Sequence, residues 1–116
     1  MNFLKGTLKT SGGVSFDCNG VRVPLEGYAF ASAPADGQPA ELGIRPEHIE
    51  TGGSLQAQIE MAEPMGSDQL AWLRLGGAPL SLRLPAEAEV KAGETMPLAF
   101  PARRLSLFDA ASGQRL

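Results

Sequence analysis

The chain is poor in the residues that most chemistry requires. Cys18 is its only cysteine and His48 its only histidine among 116 residues. A single thiol excludes an internal disulfide framework and fits a reducing compartment. One Cys and one His likewise leave no material for a zinc cluster or a histidine-based triad within one chain. The Gly-x-x-x-x-Gly-Lys-Ser/Thr phosphate loop is missing, so the chain does not cradle a nucleotide in that manner. No apolar run approaches the roughly 20 residues that cross a bilayer, and no basic-plus-apolar leader begins at Met1. Aromatics are sparse, with five Phe, one Tyr and one Trp. Ten basic residues face thirteen acidic ones, for a net charge of −3. Without a Lys/Arg stripe or a run of stacking aromatics, an OB-type nucleic-acid surface is disfavoured.

Turn formers are plentiful instead, with 14 Gly and 9 Pro. With 43% hydrophobic and 20% charged residues, the composition is that of an ordinary globular protein. The length fits one domain over residues 1–116, able to bury a modest core.

Read in order, the chain alternates short strands and turns. Phe3 to Thr10 is a first strand, broken at Ser11-Gly12-Gly13. Val14–Cys18 and Val21–Leu25 flank Asn19-Gly20, the preferred pair for a type I′ hairpin turn. That register sets Cys18 against Val21, Phe16 against Val23 and Val14 against Leu25 on one inward face. On the wet face Asp17 meets Arg22, a pair contributing about 0.2–1 kcal/mol. Pro24 marks an edge strand. Glu26 to Ala40 has no period and reads as a surface loop.

Ala40 to Arg45 is a strand, Gly52-Gly53 punctuates, and Ser54 to Ala62 is a longer strand with Leu55, Ala57, Ile59 and Met61 inward. Glu60 and Glu63, the nearest pair of acids, should then point to opposite faces, which argues against shared acid–base work. A second hairpin joins Gln69–Leu75 to Ala78–Leu84 through Gly76-Gly77, with Leu73 facing Leu80 and Ala71 facing Leu82. Its outer face carries Leu70, Trp72, Arg74, Ser81 and Arg83. The expectation for Trp72 is cover from a second layer or from the Arg stems; left bare, it marks a contact surface. Glu87 to Glu94 is a polar connection. Thr95–Pro101 and Arg103–Phe108 are further strands, and Gln114–Leu116 a short terminal one. Eight to ten short strands with scarcely any helix predict an all-β protein, a small closed barrel or Greek-key sandwich.

The most specific run is Leu42-Gly43-Ile44-Arg45-Pro46-Glu47-His48-Ile49. Proline keeps Arg45 extended, Pro46 suits the first position of a helical turn, and Glu47 lies near its positive end. Arg45 and Glu47 read as a solvated corner, His48 as a turn residue with an ordinary hydrogen bond, and Cys18 as a structural thiol.

The run Gly43–His48 resembles a segment of the C-terminal regulatory (TOBE) domain of sugar-importing ABC ATPases, the maltose and glycerol-3-phosphate transporter group. Met1–Leu4, Met65-Gly66-Ser67-Asp68 and Leu107–Gly113 resemble further segments of that domain, in the same order along the chain. The resemblance implies an OB-like barrel with extra strands that helps hold an ATPase dimer together and in some members docks regulatory proteins. It implies Gly43, Arg45, Pro46, Glu47, His48, Gly66, Asp68, Trp72 and Asp109 as motif or interface candidates, with no catalytic, cofactor or metal residue. Mg-ATP would belong to an ATPase domain outside this chain. The implied partners are the same domain of a second subunit, the membrane subunits through the ATPase domain, and possible regulators. The implied location is the cytoplasmic side of the inner membrane. An alternative is a small-ligand module for an oxyanion or sugar, since related domains bind molybdate.

Overall fold

The computed structural model describes residues 1–31 and 33–116; Ser32, inside the predicted Glu26–Ala40 loop, lies outside the described residues. The described residues form nine strands: β1 Asn2–Lys9, β2 Ser15–Cys18, β3 Val21–Pro24, β4 Pro39–Ile44, β5 Glu50–Pro64, β6 Asp68–Leu75, β7 Ala78–Pro85, β8 Thr95–Ala99 and β9 Ser106–Asp109. Two single 3-10 turns, Pro46–His48 and Ala102–Arg104, are the helical content among the described residues. The all-β expectation holds. Strand order is β3-β2-β1-β4-β9 in one sheet and β7-β6-β5-β8 in the other, and every pairing is antiparallel.

The core sits between the sheets. Leu4, Leu8, Phe16, Leu42 and Leu107 enter it from the five-stranded sheet, and Ala57, Leu73, Leu80, Leu82 and Leu98 from the other. Among the described residues no polar or charged side chain is buried with them. Period-2 alternation explains why: inward positions are apolar, and each buried Leu contributes about 1.5–3 kcal/mol.

Both hairpins form in the expected register. Phe16 opposes Val23, Asp17 opposes Arg22, and Leu73 opposes Leu80. Asn19 and Gly20 both have positive φ, as a type I′ turn demands. Their tips meet across the sheets, where Asn19 Nδ2 donates to the Gly76 carbonyl at 2.7 Å. Gly76 has φ +57°, and a Cβ there would lie 2.6 Å from the Cys18 carbonyl oxygen.

A second bridge links the sheets along the outer edge of β7. Asn2 Nδ2 donates to the Ser81 carbonyl at 2.8 Å, while its Oδ1 accepts from the Ser81 N–H and hydroxyl, each at 3.0 Å. One amide side chain thus satisfies both backbone groups of an edge residue, as a neighbouring strand would.

Several expectations needed correction. Gly52-Gly53 does not end a strand. β5 runs through it with a bulge, so that Leu98 pairs with both Thr51 and Leu55. Gly53 passes so close to the Leu98 carbonyl that no side chain fits. A second bulge makes Ile59 face Leu73 while Met61 faces Trp72, leaving Glu60 as the extra residue. The extra residue flips the alternation, so Met61 is 51% exposed instead of inward. For the same reason Glu60 and Glu63 are both exposed instead of on opposite faces. The described residues of the Glu26–Ala40 stretch hold no strand before Pro39, but they are not merely surface. Tyr28 and Phe30 pack half-buried against the core, and the Tyr28 hydroxyl donates to the Leu116 carbonyl (3.0 Å) and accepts from the Leu107 N–H (3.2 Å). The expected terminal strand is reduced to a single bridge from Arg115 to Phe108.

Candidate interaction surface

The Leu42–Ile49 run makes its corner as its residue types require. Arg45 is extended (φ −77°, ψ 145°), Pro46 begins the 3-10 turn, and Ile49 returns to extended backbone. The His48 N–H donates to the Arg45 carbonyl at 3.0 Å. Ile44 and Ile49 are buried on either side and pin the turn to the core. Glu47 is exposed; its own backbone N–H holds its carboxyl below the usual range, with His48, Arg45 and Arg83 adding to the effect. His48 departs from expectation, because its Nδ1 is buried and has no hydrogen-bond partner among the described residues. The short turn fixes His48 by its backbone and leaves the ring edge against the fold with no polar group in reach.

The turn packs against β7. Arg83 on that strand lies 3.6 Å from the Asp68 carboxylate, at the start of β6 and next to the Gly66 turn. The two separate motifs, Gly43–His48 and Met65–Asp68, therefore converge around Arg83. Nothing in either motif pointed to Arg83; only the β6–β7 register of Leu70 with Arg83 brings it there.

Trp72 stands one strand further in, opposite Met61 on β5 and Ser81 on β7. It is 40% exposed, so the expected cover is partial. The Arg head groups are engaged elsewhere: Arg74 reaches Glu60 at 3.2 Å and the Gly77 carbonyl at 3.0 Å, and Arg83 reaches Asp68 at 3.6 Å. Met1, Phe3 and Trp72 border one shallow depression beside Ser81. Gly43 lies beneath Met1 and Phe3, where a Cβ would meet the Met1 sulfur at 2.9 Å. Met61, Trp72, Phe3 and Met1 thus form an outward apolar stripe across the junction of the sheets. Its bulge-turned member, Met61, left no signal in the sequence.

Asp109 belongs to neither group. It closes the turn after β9, accepting from the Ser112 hydroxyl at 2.8 Å and N–H at 3.1 Å, and from Gln38 at 3.3 Å. The Ser112 hydroxyl, followed by Gln38, keeps its carboxyl below the ordinary value. Among the described residues no group of His, Cys, Asp and Glu is placed to hold a metal ion.

Two antiparallel sheets closed over one leucine-rich core, with bulged β5 crossing between neighbours, define an OB-like β-domain. The fold matches that of a solved cytoplasmic molybdate-binding protein, ModG, with a TM-score of 0.66 over 91% of this chain and 94% of that one, at 16% identity. Two family models match the sequence: the MalK OB fold domain over residues 1–49 and the TOBE domain over residues 42–108. The chain belongs to the TOBE domain family. This bears out its resemblance to the accessory domain of sugar-type ABC import ATPases, and neither matched model is of an ATP-hydrolysing domain. The chain is 38% identical, over 99% of its length, to the sn-glycerol-3-phosphate import ATP-binding protein UgpC of Burkholderia pseudomallei. It is 36% identical over 99% of its length to the protein of that name from Paraburkholderia xenovorans, and 39% over 95% to that from Chromohalobacter salexigens. These matches cover 33%, 33% and 30% of the relatives, so the chain spans about a third of their length. No helix among the described residues is long and apolar enough to cross a membrane.

Proposed function

We propose that this domain is the regulatory and pairing module of the ATP-binding subunit of an ABC importer for sn-glycerol-3-phosphate or a related carbohydrate. The observation that carries the reading is the 38% identity over 99% of the chain to an import ATP-binding protein. ATP hydrolysis and contact with membrane subunits then belong to the remainder of such a subunit, at the cytoplasmic face of the inner membrane. The domain itself meets its counterpart in a second subunit through the stripe around Trp72. An interface needs an aromatic or Arg anchor and a polar rim. Trp72 with Met61 and Phe3 supplies the first, and the Arg74–Glu60 and Arg83–Asp68 pairs supply a rim balanced in charge, as self-pairing requires. The corner at Arg45, Glu47 and His48 adjoins this rim and is the proposed place for a regulator to dock.

Sedimentation of the chain from low to high micromolar concentration is the test. A monomer–dimer equilibrium is expected, micromolar or weaker, equivalent to about 8 kcal/mol or less. Trp72→Ala should shift it toward monomer without unfolding. Dimerisation that ignores Trp72→Ala would place the interface elsewhere. A second reading, an oxyanion module, draws on the fold shared with the molybdate-binding protein. Calorimetric titration with molybdate separates the two: saturable binding favours that module.

A further inference from the structure

Beside the first hairpin lies a cleft of about 680 Å³ that none of the motif residues lines. We infer that it binds a small zwitterion with an apolar body, of the class of free aromatic amino acids. The volume is within the roughly 300–1,000 Å³ typical of ligand clefts.

The apolar wall is aromatic. Tyr28 is held by hydrogen bonds to Leu107 and Leu116, and Phe30 meets its ring edge-to-face, with centroids 4.7 Å apart and planes at 71°. Because the Tyr28 hydroxyl is tied to two backbone groups, the ring is the main surface it offers a ligand. Leu25, fully buried, and half-buried Val14 form the floor. An aromatic body would gain edge or offset contacts here.

The rim carries one cation and one anion, Arg22 and Glu26, both exposed. Among the described residues neither has an ion-pair partner; the two pairs present are Arg74–Glu60 and Arg83–Asp68. Asp17, the cross-strand neighbour of Arg22, instead accepts the Gly20 N–H at 3.0 Å. Opposite charges left free at one rim select a dipolar ligand. A carboxylate meets the fork of Arg22, and an ammonium group meets Glu26. A plain anion would face Glu26, and a plain cation would face Arg22. On the far rim Gly12 and Gly13 have open space where side chains would stand, so a ligand can come close to the backbone.

The experiment titrates L-phenylalanine into the isotopically labelled chain and follows backbone amide resonances. Saturable shifts are expected at Gly12, Gly13 and Gly27, and none at the Trp72 indole. Phenylacetate, which lacks the ammonium group, and phenethylamine, which lacks the carboxylate, should each bind about tenfold more weakly, a loss of about 1.4 kcal/mol. Arg22→Gln should abolish the preference over phenethylamine, and Glu26→Gln the preference over phenylacetate, while the remaining resonances report an intact fold. Absence of saturable shifts at the three glycines up to tens of millimolar overturns the proposal. So does equal binding of phenylacetate and L-phenylalanine, or shifts that both variants leave unchanged.

Discussion

The β2–β3 and β6–β7 hairpins both turn on two residues, Asn19-Gly20 and Gly76-Gly77, and both send alternate side chains into the same core. Phe16, Cys18 and Val23 enter from one, and Leu73, Leu80 and Leu82 from the other. Outward they diverge. The first hairpin shows Asp17 and Arg22, the second Trp72 between two arginines that are tied down elsewhere. The inward faces answer to one requirement, removal of apolar area from water, and so look alike. The outward faces are under no such requirement, and one is polar while the other presents an indole.

The largest effects should come from the inward side and be shared by both hairpins. Phe16→Ala and Leu73→Ala should each destabilise the chain by about 3–5 and 2–5 kcal/mol respectively, read from denaturant midpoints at constant m-value. A loss confined to one hairpin would show that the two sheets do not share a core.

Next is the contact between the hairpin tips. Gly76→Ala places a side chain at φ +57° and against the Cys18 carbonyl, so roughly 1–3 kcal/mol of destabilisation is expected. Gly20→Ala, at φ +88°, is strained in its backbone too but keeps open space around its Cβ, so it lacks the part of the cost that comes from the clash. Equal costs in thermal melts would mean that the tips do not dock.

The outward faces should differ in kind more than in stability. Arg22→Ala should change the unfolding free energy by about 0.5 kcal/mol or less, as exposed substitutions usually do. Trp72→Ala, at a side chain 40% exposed, should change it by about 1–2 kcal/mol for the part of the indole that its strand neighbours cover. Only Trp72→Ala should weaken self-association in sedimentation. A large stability loss from Trp72→Ala would make the indole a structural residue and remove the contrast.

The smallest effect is one of pH. Burial, reinforced by the Asp17 charge, pushes the Cys18 thiol above its ordinary value of 9.0. The folded thiol therefore holds its proton while the unfolded one has begun to release it. Its contribution to stability is full below about pH 9 and is lost as pH rises through the folded value. Cys18→Ala should flatten that alkaline decline in denaturant midpoints, and a decline unchanged by Cys18→Ala would assign it to other groups.

Alternation and turn chemistry by themselves determined the all-β class, both hairpin registers, the edge position of Pro24 and the extended Arg45 before the Pro46 turn. These are local matters, set by φ restrictions and by a two-residue period. The motifs carried the family, because their order along the chain is a property of the sequence alone. What only the tertiary structure decided depends on packing between segments far apart. The bulges in β5 appear in its pairing with β8 and with β6, and the second turns Met61 outward without any change in its residue type. The meeting of the two motifs at Arg83, the Asn2–Ser81 bridge and the partly exposed Trp72 follow from which strand edges lie side by side. A sequence lists those partners without saying that they touch.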